Sequence, residues 1–250
     1  MDRITAAGGT IEDVNVIDAD IKFLKSIGLF DNLKYAVDPR AGITERVDGG
    51  DTFASKIFDY SGSDADTANA TGSAQPKKGI LNGVTSLDFD GVDDRLTDED
   101  TVTFLAGEEM FSIAVYAQDF DNSYAFGMMI DKFSPNEGGK NFGIDTVDNA
   151  ISVFTFNGPS FIPYQNVQIL ASGTVNEDNL LSGFINGVEK GSEIRVVSYV
   201  GKSLGSIRQR SDLRFAKGKF QKNWDFNALP TTQQAAAINT YLTNQFNIPF

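Results

Sequence analysis

Between Gly79 and Leu96 the chain alternates apolar and acidic positions: Leu87 and Phe89 fall on one face of an extended segment, Asp88 and Asp90 on the other. This predicts a half-buried strand. Gly91 then frees the backbone to turn, and Val92 and Leu96 anchor either side of Asp93-Asp94-Arg95. Short runs of the same kind recur at 53–60, 111–117, 141–144, 150–156, 167–172, 180–185, 195–200 and 213–216, and 126–130 is almost continuously apolar, as a central strand would be. Asn186-Gly187 behind Phe184-Ile185 is a hairpin signal, because both turn positions tolerate positive φ. Such spacing is that of an antiparallel sandwich. Residues 41–50 and 61–78 lack periodicity and are expected to be loops.

Helical spacing is confined to the two ends. Ile17, Ile21, Leu24 and Ile27 repeat between a capping Asp18 or Asp20 and a terminating Gly28, and a second helical turn is expected over Phe30, Leu33 and Val37, closed by Asp38-Pro39. Residues 1–16 read as an arm. At the other end Thr231 and Gln234 match a capping box, and Ile238, Tyr241, Leu242 and Gln245 share a face of a helix expected to run to Phe246. The chain is thus expected to divide into an N-terminal arm and helical attachment segment, 1–50, and a sandwich domain, 51–250. The stripe from Ile17 to Ile27 must bury itself on its own sandwich or on a neighbour, and the composition break favours attachment or oligomerisation.

Composition narrows the chemistry. With 250 residues and 41% hydrophobic the chain can build a large core, and 20 Phe against 1 Trp make that core phenylalanine-led. A net charge of -13 opposes nucleic acid and anionic lipid. With 0 Cys and 0 His, disulfides, thiol nucleophiles, imidazole bases and the common transition-metal ligands are excluded, leaving hard, oxygen-liganded cations. No run is long and apolar enough to span a membrane or to follow a basic leader as a signal peptide does, so the expectation is cytoplasmic synthesis, with release by lysis in a virus particle or after removal of a leader.

Leu87-Asp88-Phe89-Asp90-Gly91-Val92-Asp93-Asp94 resembles the signature near the start of laminin-G-like, concanavalin A-like jelly-roll domains. Phe111-Ser112-Ile113-Ala114-Val115 is similar to the strand that follows, 181–188 resembles the family's Asn-Gly-Val hairpin, and 235–248 its closing segment. Residues 19–42 are similar to leaders of such domains in bacteriophage virion proteins. The resemblance implies a two-sheet antiparallel jelly roll with a short N-terminal helical segment and a C-terminal helix, binding carbohydrate or protein, often with calcium at its rim. It implies no catalysis: the Glu-x-Asp-x-x-Glu strand motif of jelly-roll glucanases is missing, and adjacent Glu108 and Glu109 point apart on a strand. The expectation is a noncatalytic virion component, capsid decoration or tail fibre, joined to other virion proteins through its N-terminal segment. It would be a homo-oligomer, with a trimer among the options, and would display loops toward a cell-surface glycan. A free carbohydrate-binding module or adhesin is the alternative, a glycosidase the outside one.

Asp88, Asp90, Asp93 and Asp94 offer the oxygens calcium would take, or else cap the backbone of the turn at Gly91. A weaker oxygen-rich turn holds Asp119, Asp121 and Asn122. Trp224, Tyr164, Phe161 and Tyr124 are the aromatic rings that could stack on a sugar, or else pack in the core. The basic run from Lys202 to Lys222 reads as a solvated face or a contact with an acidic neighbour.

Overall fold

A computed structural model describes residues 1–104, 108–118, 130–132, 142–147, 150–153, 160–161, 168–178, 180–194, 199–204, 206–209, 212–215 and 217–248. Helices α1 (Asp2–Ala6) and α2 (Val14–Ser26) precede the strands and α3 (Thr232–Phe246) follows them. The strands are β1 (Leu33–Val37), β2 (Ile43–Asp48), β3 (Asp51–Ile57), β4 (Thr67–Ala68), β5 (Lys77–Leu81), β6 (Val84–Asp90), β7 (Leu96–Phe104), β8 (Met110–Gln118), β9 (Ile130–Lys132), β10 (Phe142–Val147), β11 (Ala150–Val153), β12 (Ser160–Phe161), β13 (Ile169–Val175), β14 (Leu180–Ile185), β15 (Val188–Ile194), β16 (Tyr199–Leu204), β17 (Ser206–Gln209), β18 (Asp212–Phe215) and β19 (Lys217–Phe226). Among the described residues every strand pairing is antiparallel, giving the two-sheet sandwich with a helix at each end.

One layer runs β15-β14-β13-β8-β19, and the far edge of β19 is shared: Lys217 to Phe220 pair with β6, and Asn223 to Phe226 pair with β1. The order continues from β6 through β5 and β3, which pairs with both β2 and β4. The second layer runs β4-β7-β16-β9-β10. Asn82-Gly83 and Asn186-Gly187, all at positive φ, close the β5-β6 and β14-β15 hairpins.

Two cores lie on opposite faces of the first layer. Tyr35, Leu87, Phe89, Ala114, Tyr116, Ile169 and Phe220 belong to the core between the sheets. Leu24, Leu33, Phe111, Ile113, Val115, Trp224, Phe226, Ile238, Leu242 and Phe246 belong to an outer core roofed by α2 and α3. Strand β8 is therefore buried on both faces, which is why its alternation is apolar with small rather than apolar with polar. Strand β19 reaches both cores by a bulge. Its register with β8 shifts between Phe220 and Lys222, so Phe220 points between the sheets while Lys222, Trp224 and Phe226, of the same parity, point under the helices. The extra residue, Gln221, is buried and donates to the carbonyls of Leu81 and Val84.

Charge is buried beneath that roof. Lys222, its side chain 1% exposed, donates to Asp20 Oδ2 at 2.6 Å and Gln245 Oε1 at 2.9 Å, and lies 3.3 Å from Asp38 Oδ2. Its ammonium sits over the Trp224 and Phe246 rings, 4.8 and 5.5 Å from their centroids. Asp20 also accepts from Tyr60 Oη at 2.6 Å, Tyr241 Oη at 2.9 Å and Gln245 Nε2 at 3.3 Å. Asp38 is clasped by Arg40 through Nε at 2.9 Å and Nη2 at 2.6 Å. Burial opposes ionisation of Asp38, but Lys222 and Arg40 outweigh it and hold the carboxyl below its ordinary range. Burial first, and then the neighbouring carboxylates, push Tyr60 and Tyr241 upward, so both phenols stay protonated and donate.

Several expectations are corrected here. Residues 43–48 are strand, not loop, and 33–37 form β1 rather than a helical turn, because the burial pattern of Leu33–Val37 answers to pairing with β19. The anticipated division at residue 50 crosses β2-β3 pairing, and the α2 stripe is covered by the chain's own sandwich and helices: Leu24 lies in the outer core, with Ile17 packed beside Ile4 and Phe58. The basic run is no solvated face at its end within β19, since Lys222 is enclosed. No helix is long and apolar enough to cross a membrane among the described residues.

Deletion of residues 1–42 removes β1 and the Asp20 and Asp38 partners of Lys222, so the truncated chain should show no cooperative thermal transition by circular dichroism. Leu24→Ala, at a side chain with 0% exposure, should cost about 2–5 kcal/mol in urea unfolding. A folded truncated domain would show that the N-terminal segment is an appendage.

Candidate functional site

The roof of helices does not extend over the whole outer face. Where β19 begins, before its bulge, Lys217 and Lys219 point outward beside Asp88 of β6, and Leu81, Phe89, Ala117 and Gly218 complete a groove of about 350 Å³. Lys219 forms an ion pair with Asp88, whose other oxygen accepts from Ser86 Oγ at 2.7 Å. A side chain at Gly79 would collide with the Asp88 carboxylate, so the glycine opens the wall against which Asp88 stands. The arrangement offers a fixed acceptor beside a fixed donor over apolar carbon.

The acidic turn stands next to this groove. Asp90, Asp93 and Asp94 each present a carboxylate oxygen, all within 4.8 Å of one another. Asp88 is held apart by Lys219, so the structure brings together three of the four expected ligands. Backbone donors account for two of these groups: Asp90 Oδ1 accepts from Val92 N at 2.7 Å and Asp93 N at 3.3 Å, and Asp94 Oδ2 accepts from Asp90 N at 2.9 Å. Gly91 turns at φ 81, with Lys217 Cβ 2.9 Å from where a Cβ would stand. Three carboxylates fit part of a calcium shell of roughly six to eight oxygens, the rest falling to backbone and water. Burial, then the charge of Asp90 and next that of Asp93, push the Asp94 carboxyl up to about 7, against the Asp90 N–H that it accepts.

Trp224 is corrected as a sugar platform. It is 0% exposed, donates from Nε1 to Tyr60 Oη at 2.9 Å, and stacks near Phe23 and Tyr241 with centroids 6.5 and 6.1 Å away. No face is left for a ligand. Tyr124 and Tyr164 and the turn at 119–122 lie outside the described residues, as does most of the 126–130 run; Phe161 falls in β12, where only the backbone is described. Glu109 Oε2 accepts from Leu229 N at 3.3 Å. Lys217 and Lys219 were hidden within the basic run, and the Lys-Gly-Lys-Phe alternation at 217–220 was the signal for them.

No family model and no curated protein matches the sequence. Solved structures share the fold. The binding domain of Paraclostridial Mosquitocidal Protein 1 superposes with a TM-score of 0.59 at 14% identity, over 86% of this chain and 53% of that one. Trypanosoma rangeli sialidase in complex with sialic acid gives 0.60 at 11%, over 88% and 34%. An arabinofuranosidase complexed with arabinofuranosyl-α-1,2-xylobiose gives 0.59 at 13%, over 87% and 64%. The chain therefore spans about half of the toxin domain, a third of the sialidase and under two thirds of the arabinofuranosidase, and at these identities the likeness establishes a shared β-sandwich fold.

The Asp94 shift has a definite sign. A carboxyl raised from 3.8 to about 7 by folding makes the native state bind the extra proton, so its stabilising share is complete below pH about 4 and is lost as pH rises through 7. In chelator-containing buffer, Asp94→Asn should raise Tm at pH 8 and leave it nearly unchanged at pH 4, because the amide oxygen still accepts from Asp90 N. An equal shift at both pH values would mean that ionisation of the Asp94 carboxyl is not the cause.

Proposed function

We propose that the chain is a noncatalytic binding module, a lectin-like jelly roll that engages carbohydrate or a protein surface at the groove over β5, β6, β8 and β19. The observation that carries this reading is the Asp88–Lys219 pair above the apolar wall of Leu81 and Ala117. A carboxylate and an ammonium side by side match neighbouring hydroxyls of a sugar as acceptor and donor, while the apolar wall takes a C–H face. Rigidity is supplied by pairing of Asp88 and Lys219 across two strands. Among the structural neighbours the toxin binding domain supports a binding role, while the sialidase and the arabinofuranosidase, both complexed with sugars, accord with carbohydrate contact and equally with the glycosidase alternative.

Carriage on a virion, in a homo-oligomer, is the setting favoured by the resemblance of residues 19–42 to phage leaders. The free carbohydrate-binding module or adhesin gains from a separate observation, that these residues build the domain's own outer core and its β1 edge. A glycosidase would instead require two facing carboxylates about 5–10 Å apart across a bound sugar.

Binding to a glycan array, confirmed by calorimetry, should weaken about tenfold or more on Lys219→Ala and on Asp88→Ala, the loss expected of a charge-assisted hydrogen bond, with the melting transition retained. Array binding untouched by both substitutions would place recognition elsewhere, and release of sugar from an oligosaccharide would replace this reading by the glycosidase.

A further inference from the structure

The buried cluster at Lys222 is arranged for more than an ion pair. We propose that Lys222 Nζ and the Asp20 carboxyl condense to an intramolecular amide, a covalent staple between α2 and β19.

The amine and the carboxyl group are already in contact. Nζ lies 2.6 Å from Asp20 Oδ2, and both side chains are sealed from water, at 1% and 0% exposure. Exclusion of water favours condensation over hydrolysis. The two carboxyl oxygens have different surroundings. Oδ1 accepts from Tyr241 Oη at 2.9 Å and Gln245 Nε2 at 3.3 Å, two neutral donors placed where negative charge develops when the amine attacks Cγ. Oδ2 accepts from Lys222 and from Tyr60 Oη at 2.6 Å, and is the oxygen that departs. A second carboxylate, Asp38 Oδ2, lies 3.3 Å from Nζ and is kept in place by Arg40. The Trp224 and Phe246 rings and the Gln245 Oε1 acceptor, 2.9 Å away, hold the amine against the carboxyl.

The step balances without a co-reactant. One proton passes from the ammonium to Oδ2, the neutral amine forms the N–Cγ bond, and Asp38 takes a further amine proton and delivers it to the departing hydroxyl. The Cγ–Oδ2 bond breaks, one water leaves, and one N–H remains on the amide. The staple would close the chain between residues 20 and 222, so that α2 could not leave the sandwich even when its hydrogen bonds open.

Intact-mass spectrometry of the purified full-length chain under denaturing conditions reads this directly. The mass expected is that of the sequence less one water, and tryptic digestion should give a branched peptide joining Asp20 to Lys222. Lys222→Arg keeps the cation but removes the primary amine, and should restore the full sequence mass. Full sequence mass in the wild-type chain after prolonged incubation overturns the proposal. So does a water loss that persists in Lys222→Arg or maps to another pair. Should Lys222→Arg not fold, the wild-type mass and branched peptide decide alone.

Discussion

A lysine ammonium with no access to water is the constraint around which this molecule is assembled. Leaving Lys222 unpaired would cost several kcal/mol, and its partners come from both ends of the chain: Asp20 on α2, Asp38 after β1, Gln245 on α3. Satisfying one cation therefore requires both terminal segments to be seated together on the sheet. The aromatic wall of Trp224 and Phe246 does the same work with apolar area.

The bulge at Gln221 makes this compatible with a sandwich. Without the bulge, in a regular strand that keeps Gln221 paired, Lys222 and Trp224 would share the face of Phe220 and drive a charge between the two sheets. With it, β19 gives its first half to the inner core and its second half to the outer one. The same device fixes where a ligand can be met. Helices cover the outer face above the second half of β19, so the uncovered first half, with Lys217 and Lys219 facing Asp88, is left as the groove.

Beside the groove, the acidic turn shows one sequence feature serving two ends. Asp90 and Asp94 fold the backbone around Gly91 by accepting its N–H groups, and in doing so they bring like charges together. Burial first, and then this repulsion, raise Asp94, and the cluster leaves negative potential at the rim of a strongly acidic protein. Lys219 withdraws Asp88 from that cluster and commits it to the groove.

Local pattern determined much of the architecture. Period-2 runs marked β6, β8, β13 and β14, Asn186-Gly187 marked its hairpin, and Thr231 with Gln234 marked the start of α3, because each depends on φ preference, alternation or a cap within a few residues. The acidic turn was legible for the same reason. What only tertiary structure decided depends on distant partners. Leu33–Val37 is a strand because β19 is there to pair with it, and the apolar stripe of α2 is roofing because α3 and Trp224 complete its cavity. Trp224 itself is core and Lys222 is buried because a single bulge reverses which way they face. A one-residue change of register inverts every side chain beyond it, and no period read along the chain records where that inversion occurs.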